Sequence, residues 1–259
     1  MRSALAVIAA LGFAAPAAAQ APASAAPRIL EQPDFIDVTK DFSGEERLEF
    51  AAHLSMVLRQ HEQAIPMYEA ILKREPNRAD LWAALALAYN HANEPREAFD
   101  AAGIAITLAP HAAYFRGERG IAAFMLGRHR EAIEDLTAYV NTASLNARGR
   151  FYLGLAQAAA GDLAAARASL LRARALNPAL EIAADYYLGL IAAERGQLGA
   201  SRALLARAQD ALHGSGLPVE KLIGAQLQGL DGVIGERLRA SMHESDARFA
   251  PARGKAAER

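Results

Sequence analysis

Small and apolar residues recur along this chain at intervals of 34 positions. Alanine stands at four equivalent places, Ala64, Ala98, Ala132 and Ala166, and twelve residues after each of them comes Pro76, Pro110, Ser144 or Pro178. A period between 20 and 50 residues indicates a repeated unit that buries its apolar face only by stacking on its neighbours. Because 34 residues is the length of a known helix–turn–helix repeat, the pattern predicts an all-helical array with one such helix pair in each period.

Residues with special backbone or capping roles fall where such a unit needs them. The alanines suit the crossing of the two helices, because a small side chain lets their backbones approach closely, and the prolines suit the end of the second helix. Gly127 and Gly161 fall at turns between helices, where glycine is favoured. Ser43 and Glu46 form the pattern of a capping box that opens the array, and Asn77 is a predicted cap for a later helix.

Aromatic and glycine residues add a family resemblance. The second unit reads Trp82-Ala83-Ala84-Leu85-Ala86-Leu87-Ala88-Tyr89, followed by Ala98 and Pro110; the fourth has Tyr152-Leu153-Gly154, and a fifth, spaced by 35, has Tyr187-Leu188-Gly189 and then Ala200. This pattern resembles the tetratricopeptide repeat (TPR) family, of an exported bacterial type. The resemblance implies a right-handed α-α superhelical solenoid of about five units over residues 44–213. Ala86 and Ala102 depart from it, where the family favours glycine and a large aromatic residue.

The N-terminal residues read as an export signal. Arg2 supplies a positive start, a short apolar run follows, and small residues precede Gln20. Residues 1–19 are therefore a predicted signal peptide, because the apolar run is shorter than the roughly 20 residues needed to span a bilayer. Residues 20–42, rich in alanine and proline at their start, are a predicted flexible lead-in. No later stretch is long enough to span a membrane.

Beyond the repeats, one more helix is expected. Apolar residues recur in steps of three and four at Val219, Ile223, Leu227, Leu230, Ile234, Leu238 and Met242. Such spacing places them on one face of a helix over residues 218–243. This helix is interpreted as a cap on the end of the stack, with docking or self-association as the alternative. Residues 244–259 carry few apolar groups and are predicted to be disordered.

The resemblance also implies a binding surface, since the first helices of TPR units line a concave face. The corresponding positions in this chain are His53, Met56, Leu87, Asn90, Tyr114, Ile121, Phe124, Phe151, Leu155, Tyr186 and Leu190. Only Asn90 matches the lysine/asparagine clamp with which chaperone-binding members hold a carboxylate. The groove is therefore expected to take a peptide with apolar anchors. The alternative is that these side chains are simply core.

Composition and the missing motifs exclude several classes of function. The chain has no cysteine, which excludes disulfides, lipidation at cysteine and thiolate chemistry, and its net charge of −1 gives no basis for binding nucleic acid. Zinc, nucleophile-elbow and phosphate-loop motifs are missing, so no catalytic residue, metal or cofactor is expected. The carboxylates of Glu131, Glu134 and Asp135 are assigned to the solvated surface of a second helix.

Together these features favour a non-catalytic scaffold of the cell envelope, periplasmic after removal of the signal, that binds a protein or peptide. It would serve envelope assembly, secretion or polysaccharide export. A structural protein that self-associates through residues 218–243 is the main alternative. An enzyme acting on cell-wall sugars or peptides is the third possibility, and the sequence offers no convergent catalytic groups for it.

Overall fold

A computed structural model describes residues 42–213, 220–221 and 223–233. The predicted signal peptide, the lead-in up to residue 41, the tail over residues 244–259 and the last part of the predicted C-terminal helix lie outside these residues. The described chain divides into two compact units, one ending at Ser169 and the other beginning at Leu170. Each unit is described by itself.

The described residues form helices joined by short turns. Their bounds are α1 Gly44–Val57, α2 His61–Leu72, α3 Ala79–His91, α4 Pro95–Leu108, α5 Ala113–Met125, α6 His129–Thr142, α7 Ala147–Ala159, α8 Leu163–Leu176, α9 Glu181–Glu194 and α10 Leu198–Leu212. A 3-10 turn, Pro178–Leu180, precedes α9, and residues 220–233 form α11 apart from residue 222, which is not described. No helix in the described part of the chain is both long and apolar enough to cross a bilayer.

The helices pack in consecutive pairs, which confirms the helix–turn–helix prediction. In the first unit α1 packs on α2, α3 on α4 and α5 on α6, and each pair contacts the next through α2–α3, α4–α5 and α6–α7. The first helices of successive pairs also contact each other, α3 with α5 and α5 with α7. These first helices therefore form the inner layer of the unit.

Small residues lie where the helices cross, as predicted. Ala64, Ala98, Ala132 and Ala166 are all fully buried. In the fifth repeat the prediction of Ala200 was wrong, because Ala200 is exposed and Ser201 is fully buried in its place. Ser201 lies beside Gly189, at which a Cβ atom would come 3.4 Å from the carbonyl oxygen of Ser201. Because this repeat is 35 rather than 34 residues long, the residue at the helix crossing is Ser201 instead of Ala200.

Turns and caps agree with the sequence at all but one place. The Ser43 hydroxyl accepts from the Glu46 amide at 3.2 Å and the Ser43 amide donates to the Glu46 carboxylate at 2.7 Å, which confirms the capping box. Gly127 and Gly161 have φ angles of 75° and 91°, the left-handed conformation that favours glycine. The prediction of Asn77 as a cap was wrong, since α3 has Arg78 at its N-cap and no side-chain cap.

The second unit contains the described part of the C-terminal helix. Ile223, Leu227 and Leu230 of α11 are buried, which agrees with the predicted apolar face. Asp231 accepts from Arg202 of α10 at 2.6 Å, and a Cβ atom at Gly224 would come 3.3 Å from Gln209 of α10. Helix α11 therefore covers α10, as a capping helix does. Self-association through residues 218–243 remains a prediction.

Candidate binding groove

A buried carboxylate on α5 organises the inner face of the first unit. Glu118 is 2% exposed. Its Oε1 accepts from Nη1 of Arg148 on α7 at 2.8 Å, and its Oε2 accepts from Nδ2 of Asn90 on α3 at 2.9 Å. The same Asn90 amide donates to the backbone carbonyl of Glu118 at 3.0 Å. These three residues, the Glu118 cluster, join three successive inner helices.

Aromatic rings surround the Glu118 cluster. The Arg148 guanidinium lies 5.8 Å from the ring centroid of Tyr152, and Tyr152 in turn meets Phe124 edge-on at 5.9 Å. Tyr114 packs edge-on against Tyr139 at 6.4 Å and keeps 40% of its surface exposed. The groove thus offers partly accessible aromatic surface beside a charged group, a composition that is common in peptide-binding sites.

Burial and charge in the groove raise the pKa values of two tyrosines and one arginine. Burial raises the pKa of Tyr114, and the Glu118 carboxylate adds to the effect. Burial also raises the pKa of Tyr152. Burial opposes the charge of Arg148, but Glu118 outweighs it, so the pKa of the guanidinium is raised. The tyrosines are therefore neutral hydroxyl groups and Arg148 is a cation at physiological pH.

Some of the hydrogen-bonding capacity of the cluster is unused. Asn90 is 7% exposed, yet its Oδ1 has no hydrogen-bond partner. Within the described residues, Arg148 hydrogen-bonds to Glu118 alone, through Nη1, so its Nε and Nη2 have no hydrogen-bond partner there. A buried acceptor without a partner costs about 1–3 kcal/mol, and native proteins seldom leave one. The Arg148 side chain is 32% exposed, so its unbonded donors match the carbonyl oxygen of a peptide unit.

Two histidines lie near the cluster. His61 begins α2 and His91 ends α3, and their rings stack at 4.4 Å with an interplanar angle of 15°. Burial and the nearby charge of Arg148 lower the pKa of His91 to about 4. Burial and Arg59 also lower the pKa of His61. Both rings are therefore mostly neutral at pH 7. The described residues contain no group of three or more His, Cys, Asp or Glu side chains that could hold a metal ion.

The eleven predicted groove positions divide by burial. Six are buried, namely Asn90, Ile121, Phe124, Phe151, Leu155 and Tyr186; Met56, Leu87 and Leu190 are half-buried, and His53 and Tyr114 are exposed. Burial at the five apolar or aromatic members of the first group agrees with the core alternative. Nine of the eleven belong to the first unit, and Tyr186 and Leu190 belong to the second. The structure brings Asn90 and Tyr114 to the Glu118 cluster, and partner binding at all eleven stays a prediction.

Sequence reasoning missed Glu118, Arg148 and Tyr152. A usable signal existed, because acidic residues on first helices recur 29 or 30 positions before an arginine that pairs with them. The pairs are Glu45–Arg74, Glu49–Arg78 and Glu118–Arg148, at 2.8, 2.9 and 2.8 Å. Each arginine lies at or just before the next repeat. Ion pairs with this spacing link one helix pair to the next within the first unit.

The assignment of Asp135 to a solvated surface was wrong. Asp135 is 2% exposed and accepts two hydrogen bonds from Arg119 of α5, at 2.6 and 2.9 Å. Glu131 and Glu134, its neighbours on α6, are exposed as expected. Asp135 is one helical turn from Ala132 and so lies on the side of α6 that faces α5. A carboxylate buried there needs a positively charged side chain as its partner, and Arg119 is that partner.

These features define a protein of stacked helix pairs with a polar and aromatic inner face. A profile of the tetratricopeptide repeat family matches residues 51–113 and 118–181. The chain belongs to the tetratricopeptide repeat family. A comparison with curated protein sequences found no match.

Several solved structures share the fold. PilW, described as a widely conserved type IV pilus biogenesis factor, has a TM-score of 0.62 and 18% identity, with 80% of this chain and 95% of PilW covered. MamA from Desulfovibrio magneticus RS-1 gives 0.56 and 16%, with 67% and 97% covered. YrrB, described as a TPR protein with an unusual peptide-binding site, gives 0.51 and 21%, with 64% and 89% covered. At these identities the likeness concerns the fold alone.

Proposed function

We propose that this chain is a non-catalytic scaffold that holds a peptide segment of a partner protein against the inner face of its first unit. The observation that carries the proposal is the partial exposure of Tyr114, at 40%, and of the Arg148 side chain, at 32%, beside the buried Glu118 carboxylate. The donors of Arg148 that Glu118 does not use bind a carbonyl oxygen of the peptide. Tyr114 and Tyr152 supply apolar contact for a neighbouring side chain.

The setting we propose is the cell envelope, with the mature chain in the periplasm. The signal-like residues 1–19 support this location. The fold likeness to PilW, a pilus biogenesis factor, is compatible with a role in envelope assembly, and the peptide-binding site of YrrB is compatible with the type of ligand. Neither identifies the partner.

The proposal is tested by selecting peptides from a random displayed library on the full chain and measuring their affinity for two variants. Tyr114 and Leu108 are equally exposed, at 40% and 39%, but Leu108 lies on the second helix α4. We expect Tyr114→Ser to weaken the selected peptides at least about tenfold, the loss of roughly 1.4 kcal/mol. Leu108→Ser should leave affinity unchanged. An equal loss in both variants, or selected peptides that ignore Tyr114, would contradict the proposal.

A second variant separates recognition from folding. Arg148→Lys keeps a cation for Glu118 but removes the planar set of additional donors. Peptide affinity should therefore fall while the melting temperature changes little. A variant that melts like the parent protein and binds the peptides equally well would show that Arg148 serves only the internal ion pair.

A further inference from the structure

One side of α1 is apolar and exposed. Phe50, Leu54, Val57 and Leu58 are 39%, 43%, 77% and 47% exposed. Their spacing of four, three and one places them on a single face of the helix. These four residues are called the α1 stripe. The side chains that α1 buries, Ala52 and Ser55, lie on its other side and are small.

A repeat array has two ends, and each end needs a cover because every unit buries its apolar surface on a neighbour. In the second unit α11 covers α10 with Ile223, Leu227 and Leu230. The α1 stripe presents the same kind of surface in the first unit, and the described residues do not cover it. A row of four large apolar side chains on one helix face is unusual for the surface of a soluble protein.

The chain enters α1 from the side of the stripe. Phe42, the first described residue, packs edge-on against Phe50 with ring centroids 6.0 Å apart. The residues just before it are rich in large apolar side chains: Ile29, Leu30, Phe35, Ile36 and Val38. Residues 20–28, by contrast, contain no apolar side chain larger than alanine or proline. The apolar part of the lead-in is thus the part nearest to the stripe.

We propose that residues 29–38 fold back on the α1 stripe and cap the first repeat. The reach is sufficient, because α1 is about 21 Å long at 1.5 Å per residue, and residues 29–41 span about 20 Å as a helix and about 43 Å when extended. A tethered segment acts at an effective concentration near the millimolar range. It therefore outcompetes a second copy of the chain at ordinary protein concentrations.

The test uses the absence of cysteine from the chain. Single cysteines at positions 35, 36 and 38 are combined in the full chain with Leu54→Cys or Val57→Cys and oxidised mildly. At least one pair should form a disulfide within a monomer, at a rate independent of protein concentration. Ile36→Cys with Glu97→Cys, an exposed position on α4, is the control that should not react. Disulfide-linked dimers that increase with concentration, or no disulfide in any pair, would overturn the proposal.

Dye binding provides an independent measurement. Phe35→Ser with Ile36→Ser should release the stripe and increase the fluorescence of a dye that binds apolar surface. The same double change in a chain that already carries Leu54→Ser and Val57→Ser should add no further increase, because the receiving surface is gone. An equal increase in both backgrounds, or none in either, contradicts packing of the lead-in on α1.

Discussion

Replacement of Gly117 by alanine tests the close packing of α5 against α6. A Cβ atom at Gly117 would stand 2.5 Å from Cδ1 and 2.7 Å from Cε1 of Tyr139, about 1 Å inside normal contact. The ring has little freedom to move, because it is 7% exposed and a Cβ at Gly149 would also meet it at 2.9 Å. Overpacking of this kind costs about 1–3 kcal/mol.

Gly103 on α4 provides the matched control. A Cβ atom there meets nothing within 4 Å, so Gly103→Ala should show only the helix preference for alanine, a gain of about 0.5–1 kcal/mol. Because that preference is common to both substitutions, the difference between the two variants isolates the clash and should be about 1–3 kcal/mol. Gly117→Ala should be the less stable variant.

Urea unfolding at 25 °C measures both changes, provided that the slopes of the transitions agree. Adding Tyr139→Leu to Gly117→Ala should restore part of the lost stability, since the smaller side chain makes room for the methyl group. If Gly117→Ala is as stable as Gly103→Ala, the ring does not occupy the position described and the reasoning about the crossing fails.

Three further predictions concern polar side chains. Arg148→Met should destabilise the chain by about 2–4 kcal/mol because it leaves the Glu118 carboxylate buried without a cation. Adding Glu118→Gln to that variant should recover part of the loss, measured by urea unfolding. A larger loss in the double variant would contradict the stabilising ion pair. His91 has its pKa lowered to about 4, so its neutral form is favoured on folding, and stability present above pH 6.5 should fall between pH 6.5 and 4. The fall should be about 1 kcal/mol after solvent screening, and His91→Gln should remove it; an unchanged pH profile in that variant would refute the assignment. Ser201→Ala should stabilise the chain by about 1 kcal/mol in thermal melts, because the Ser201 hydroxyl is buried without a partner, and a lower melting temperature would indicate that the hydroxyl is in fact bonded.

The repeat itself was predictable because its causes are local and periodic. Alanine at a crossing, glycine in a left-handed turn and the Ser43 capping box each depend on residues close in sequence, and a regular spacing multiplies the signal. The error at Ala200 arose where that spacing changed by one residue. The spacing of 35 between Tyr152 and Tyr187 already indicates the extra residue, but Ala200 lies only 34 positions after Ala166, and burial identifies Ser201 as the crossing residue.

The Glu118 cluster was harder to predict because its members lie on three helices. Asn90 and Glu118 are 28 residues apart, and Glu118 and Arg148 are 30 apart. Charged residues at such positions usually face solvent, and only the packing of α3, α5 and α7 decides that Glu118 does not. The same reason explains the error at Asp135. Periodicity shows which helices pack, but the burial of a particular carboxylate depends on the depth of the packed layer.

The central claim is that the inner face of the first unit binds a partner segment. The most direct measurement places a photoreactive phenylalanine at position 114 of the full chain in living cells, and the same residue at position 108 on α4 as the control. The account predicts a discrete crosslinked partner from position 114, lost with Arg148→Lys, and none from position 108. Crosslinks of equal yield from both positions, or from position 108 alone, would contradict it.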